Sequence, residues 1–167
     1  MPSTHSTTTT IARRSRARQP DDALAVLRAD HANVQALFEQ YEQLGERAHA
    51  SKQKLATRIC LALTQHATAE EELFYPAVRD AIAECADQVD EALVEHGSAK
   101  ELIAQILAME EGEQLYDATV KVLSELIAHH VDEEEGEIFP RVQDSELDLV
   151  ALGAAIVQRK AQVTLPG

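Results

Sequence analysis

A motif that occurs twice constrains this chain more than any other feature. His66-Ala-Thr-Ala-Glu70-Glu71-Glu72-Leu-Phe-Tyr-Pro76 aligns with His130-Val-Asp-Glu-Glu134-Glu135-Gly-Glu-Ile-Phe-Pro140. In both copies a glutamate follows the histidine at i+4 and a proline follows it at ten residues. Upstream, Asp30-His31 precedes His66 by 35 residues and Glu95-His96 precedes His130 by 34, counting histidine to histidine. Each half is therefore an acid-histidine pair on one segment and a His-x-x-x-Glu-Glu run on the next. A repeat of this length implies two similar supersecondary units that meet at a shared centre.

The units read as helical hairpins. Glycine and proline are scarce beyond Asp21, so Gly45, Pro76, Gly112 and Pro140 act as punctuation. They delimit helices near 21–47, 51–80, 85–111 and 114–142, with Ser51 available to cap the second. A shorter amphipathic helix is expected over 145–160. Apolar residues recur at spacings of three and four: Leu24, Leu27, Val34, Phe38 and Tyr41 in the first helix, then Leu55, Ile59, Leu63, Leu73 and Ala77. Val89, Leu93, Ile103 and Leu107 mark the third, and Leu123, Leu126, Ile127 and Ile138 the fourth. Short connections make neighbours antiparallel, so the expected fold is all-α: an up-down-up-down four-helix bundle with a short fifth C-terminal helix.

On a helix, positions i and i+4 share a face. His66 with Glu70, and His130 with Glu134, can thus present a nitrogen and a carboxylate to one space. His31, His66, His96 and His130 all fall within otherwise apolar stripes, where a buried glutamate is costly without a cation. Four imidazoles and two carboxylates exceed the needs of one tetrahedral zinc. They suit two borderline metals bridged by the carboxylates, with iron favoured over manganese or zinc. Glu135, at i+5, competes with Glu134 for the bridging position. His129 competes with His130 but lies off the stripe. His5 and His49 stand outside the pattern, and most of Glu71, Glu72, Asp132 and Glu133 are expected to face water or to hydrogen-bond the ligands from behind.

Composition narrows the function. The 167 residues carry a net charge of −14, the reverse of what phosphate neutralisation needs, so no nucleic-acid partner is expected. Residues 1–20 hold four arginines and no acid and read as a disordered basic arm, leaving 11 basic against 29 acidic residues in the remainder. No segment approaches 18 uninterrupted apolar residues, which argues against membrane spans, and Arg13-Arg14 has no apolar run behind it. Two cysteines without a CxxC pairing, Cys60 and Cys85, suit a cytoplasmic protein and read as apolar fillers. The domain reading is the arm at 1–20, the bundle at 21–142, and an amphipathic helix and tail at 143–167.

The motifs HATAEEELFYP and HHVDEEEGEIFP resemble those of the hemerythrin-like, or HHE cation-binding, family over roughly residues 22–142. The resemblance implies the up-down-up-down bundle and assigns His31, His66, His96 and His130 as metal histidines. It assigns Glu70 and Glu134 as carboxylates bridging two iron ions, together with an oxo or hydroxo bridge. Oxygen-carrying members have a further histidine one turn after the third, and Lys100 stands there in this chain. A lysine is a poor metal ligand, so one iron is a ligand short, and the lysine is expected to reach Glu70 or Glu134 or to swing outward. The function implied is a non-haem di-iron protein that binds oxygen, nitric oxide or iron. A di-iron enzyme decomposing hydrogen peroxide is the alternative, and a metal-free interaction module is a third reading. Tyr41 could serve as a proton donor, but its spacing fits core packing better.

Overall fold

A computed structural model describes residues 21–165. The basic arm assigned to residues 1–20 lies outside the described residues. Seven α-helices follow in order: α1 (Ala23–Glu42), α2 (His49–Ala69), α3 (Tyr75–Ala81), α4 (Ala86–Ala108), α5 (Tyr116–Glu133), α6 (Phe139–Gln143) and α7 (Leu149–Lys160). A five-residue π-helical turn, Glu70–Phe74, joins α2 to α3 without a break, and Glu134–Ile138 joins α5 to α6 in the same way. The chain is thus an up-down-up-down bundle of four long rods plus α7.

Pro76 and Pro140 are expected from the sequence to end or kink their helices; the chain instead runs helically past both, to Ala81 and Gln143, through the π turns. A proline inside a helix removes one i→i−4 hydrogen bond and its ring crowds the carbonyl four residues back. Widening the preceding turn relieves that crowding. The Tyr75 N–H accordingly donates to the carbonyl of Glu70, and the Phe139 N–H to that of Glu134. Each five-residue bond ends on a glutamate of the repeated motif.

Other boundaries also shift. Asp22 caps α1 by accepting from the Ala25 N–H at 2.8 Å, and Asp148 caps α7 through the Ala151 N–H at 2.9 Å. Helix α2 begins at His49 rather than at Ser51, and Ala48 precedes it without a side-chain cap. Gly112, at φ +87°, supplies the left-handed residue of the α4–α5 connection. Along α4, Leu93 and Leu107 sit at the solvent margin, while Ala92, Ala99 and Ile106 are buried with Val89 and Ile103. The inward stripe runs Val89, Ala92, His96, Ala99, Ile103 and Ile106 at spacings of three and four, and Leu93 and Leu107 fall one position off it.

The core falls into two apolar clusters. One holds Leu24, Leu27, Phe74, Val78, Val89, Phe139 and Ile156, and the other Val34, Phe38, Ile59, Leu63, Ile103 and Leu123. Each such side chain contributes about 1.5–3 kcal/mol when fully buried. Between the clusters lies a layer of polar residues. Helix α7 packs on α1 and α2, closely enough that a Cβ on Gly153 would stand 2.7 Å from the Asp21 carbonyl oxygen. The C-terminal helix is therefore continuous with the bundle core. No helix among the described residues is long and apolar enough to cross a membrane.

Candidate metal centre

The polar layer consists of the six residues singled out by the repeat. His31, His66, Glu70, His96, His130 and Glu134 are all buried, from 0% exposed at Glu70 to 8% at His31. They come from α1, α2, α4, α5 and the first residues of the two π turns. His31 Nε2 lies 3.1 Å from His66 Nε2, and His96 Nε2 lies 3.2 Å from His130 Nε2. Glu70 stands between the pairs, with Oε1 3.1 Å from His66 Nε2 and Oε2 3.3 Å from His96 Nε2. Glu134 Oε2 is 3.3 Å from His31 Nε2.

The outward nitrogens decide the tautomers. Each Nδ1 faces its own carboxylate: His31 that of Glu135 at 2.7 Å, His66 that of Asp30 at 3.2 Å, His96 that of Glu71 at 3.0 Å, and His130 that of Glu95 at 2.7 Å. An ionised carboxylate can only accept, so every Nδ1 donates. A neutral imidazole then directs the lone pair of Nε2 inward, which is how second partners orient metal-ligating histidines. The layout has a rough two-fold symmetry. The acid before each upstream histidine supports the histidine of the next helix, and the second Glu of each His-x-x-x-Glu-Glu run supports the upstream histidine of the other half.

Four lone pairs and two carboxylates facing one another require positive charge. Without metal, protons supply it. Burial lowers the His66 pKa, but Glu70 and Asp30 outweigh it and push the ring up to about 10. Burial likewise opposes ionisation of His96, yet Glu70 and Glu71 raise it to about 9. Burial opposes ionisation of His31 as well, yet the Glu134 carboxylate facing it at 3.3 Å raises its pKa. Glu70 is held well below the ordinary carboxylate range, since His66 and His96 overcome its desolvation. Burial and the Glu70 charge push Glu134 upward.

The donor set fits a pair of cations. Two nitrogens bound about 2.1 Å from one ion at right angles stand about 3 Å apart, as the two imidazole pairs do. Glu70 Oε1 and Glu134 Oε2 are buried and receive no well-directed hydrogen bond, despite the nearby nitrogens. Donor atoms within 4.8 Å of one another fall into two sets, His31–His66–Glu70–Glu134 and Glu70–His96–His130, which share Glu70. Glu134 therefore faces the centre, whereas Glu135 lies behind His31. His129 is exposed and contacts Glu133 at 3.2 Å and Glu95 at 3.7 Å, forming a separate surface cluster.

Lys100 takes the outward of its two expected courses and, half-exposed, pairs with Glu71 at 2.6 Å; Tyr41 is packed in the core. Tyr41 donates to Asp117 at 2.6 Å, beside Lys52 and away from the centre. The phenol that does reach the centre is Tyr75. Its Oη lies 3.0 Å from Glu134 Oε1, 3.3 Å from Glu70 Oε2 and 3.4 Å from His96 Nε2. Burial and the two carboxylates raise its pKa well above normal, so it keeps its proton. Phe139, its counterpart in the repeat, stacks on His31 with ring centroids 5.8 Å apart. At this position of the repeat the two halves differ by one hydroxyl.

The hemerythrin HHE cation-binding domain matches residues 22–142. A DNA nickase from Nostoc sp. is 32% identical over 120 residues, which are 72% of this chain and 33% of that protein. The chain thus aligns with about a third of that relative's length. A crystal structure of a hemerythrin HHE cation-binding domain-containing protein from Mycobacterium kansasii superposes with a TM-score of 0.71 at 21% identity, covering 85% of this chain and 86% of that one. That likeness shows a shared fold. With the family match spanning all four rods and every residue of the polar layer, the chain belongs to the hemerythrin HHE cation-binding domain family.

Proposed function

We propose that the chain is a non-haem di-iron protein that binds a small oxygen-derived or diatomic ligand, oxygen or nitric oxide, at the centre between its four histidines. One observation carries the reading: four inward Nε2 lone pairs, each fixed by a carboxylate on the opposite ring nitrogen, surround two buried glutamates. Such a set of imidazole and carboxylate donors favours iron over harder cations. His31, His66, His96 and His130 would hold the ions at the two ends, and Glu70 and Glu134 would bridge them. Bound iron would supply redox chemistry and open positions for the ligand. An apolar cavity of about 40 Å³ adjoins all four histidines and is walled by Val34, Leu63, Ile103 and Ile127. Its size suits a ligand of two heavy atoms, and its walls favour a weakly solvated one.

Tyr75 favours a second reading, decomposition of hydrogen peroxide. Its protonated phenol touches both bridging glutamates and can hold or deliver a proton there. The nickase activity belongs to a longer relative, and 29 acidic against 15 basic residues oppose phosphate binding in this chain.

The test is metal analysis of the chain purified from iron-sufficient medium, followed by optical titration with oxygen, nitric oxide and peroxide. We expect about two irons per chain, as two bridging carboxylates require. One ion per chain, or zinc alone, would count against the di-iron reading. Tyr75→Phe should slow peroxide decay and leave nitric oxide binding intact. Equal peroxide decay in both proteins would remove the second reading.

A further inference from the structure

Each carboxylate behind the four histidines meets a basic side chain. Lys100 pairs with Glu71, His129 faces Glu95 at 3.7 Å, Arg28 approaches Glu135 at 3.9 Å, and Lys160 pairs with Asp30. The first three come from the bundle rods and are exposed. Lys160 comes from the last turn of α7, beyond the residues that match the family, and its side chain is only 20% exposed.

Helix α7 delivers that ammonium from a fixed position. Gly153 permits close approach to the start of α1, and Ile156 is fully buried in the core. Arg159 clamps the final turn with paired hydrogen bonds to Glu72 at 2.6 and 2.9 Å. Asp30 uses both oxygens: Oδ1 takes Lys160, while Oδ2 takes the Nδ1 proton of His66 at 3.2 Å. A carboxylate held at both oxygens cannot rotate about its terminal bond. Released from Lys160, the partly exposed Asp30 could turn Oδ2 toward water and leave the His66 ring without its support. Among the described residues, the symmetry mate of Asp30, Glu95, has only the exposed His129 in that role.

We propose that α7 is part of the metal centre, with Lys160 a positioning residue that locks Asp30 against His66 and so retards loss of the ion at that end. The inference rests on the cation-binding reading of the centre. Its test compares the full chain with Lys160→Ala, Lys160→Arg and Arg159→Ala. In metal-free protein, the readout is the NMR resonance of the His66 Nδ1 proton. In protein loaded with ferrous iron and kept anaerobic, it is the rate of iron transfer to a ferrous chelator.

Lys160→Ala should shift or broaden the His66 resonance and speed the loss of one of the two irons. Removing a direct carboxylate partner typically costs 10–100-fold in metal affinity, so one step further out we expect up to roughly tenfold. Lys160→Arg should restore both readouts. Arg159→Ala loosens the clamp but keeps the Asp30 contact and should change both readouts less than Lys160→Ala does. Wild-type behaviour of Lys160→Ala in both measurements would overturn the proposal, as would equal effects of Arg159→Ala. A wild type that takes up no metal, while its His66 resonance still responds to Lys160→Ala, would instead sink the cation-binding reading and support the linkage to Asp30.

Discussion

At the scale of single residues, the centre is an arrangement of charges that must be balanced. His66→Ala or His130→Ala removes a ligand and leaves buried carboxylates without their cation. Breaking a buried ion pair by deleting one partner costs about 3–5 kcal/mol. Both variants should lose metal and melt at lower temperature, whereas His129→Ala should retain its metal, which metal analysis with thermal melts will check. The six inward residues were legible because each copy of the motif vouches for the other: a lone His-x-x-x-Glu is common, and two with matched upstream histidines are not. The supporting carboxylates were written in the same repeat, as the acid before His31 and His96 and as the second Glu of each Glu-Glu pair. Their roles needed three dimensions, because Asp30 serves a histidine 36 residues away and Glu135 one 104 residues away.

The same charges set a pH dependence. His66 and His96 stand at about 10 and 9 in the metal-free protein against about 6.5 when unfolded. Groups raised in the folded state give stability that is complete below the unfolded value and lost as pH rises through the folded one. Metal-free protein should therefore melt at progressively lower temperature from about pH 7 to pH 10. Iron-loaded protein should resist that change, since bound ions replace the protons. Parallel melting curves for the two forms across this range would contradict the charge assignment.

Among the elements, the two π turns do the most to shape the centre. A regular helix carries a side chain about half a turn round in nine residues, so Tyr75 should face away from His66. Tyr75 thus falls off the face that helical spacing marks as inward. Leu73 and Ala77 stand on that face but are only partly buried, while Phe74 and Val78 beside them are fully buried. One wide turn advances the register and brings the Tyr75 hydroxyl back onto Glu70, five residues earlier. Proline is visible in sequence, yet it allows termination, a kink or a π turn, and only packing chooses among them. Pro76→Ala should relax the Glu70–Phe74 turn toward a regular helix, draw Tyr75 off the two glutamates and reduce iron content, while helicity by circular dichroism stays near wild type. Unchanged iron content would show that packing, not the proline, holds the π turn.

Across the whole molecule, a repeat of two helical hairpins folds around a polar layer, with an apolar cluster on either side. The bundle and its approximate two-fold were readable from helix count and repeat alone. Its asymmetries were not, because they depend on what packs where: a phenol opposite a phenyl ring, and α7 against only one half. Two ions are proposed to share this layer. An anomalous difference map from crystals of the iron-loaded protein, recorded at the iron edge, would locate them. Two peaks are expected about 3–4 Å apart between Glu70 and Glu134, one beside His31 and His66 and the other beside His96 and His130. A single peak there, or density only at the exposed Glu95–His129–Glu133 cluster, would contradict the two-ion proposal.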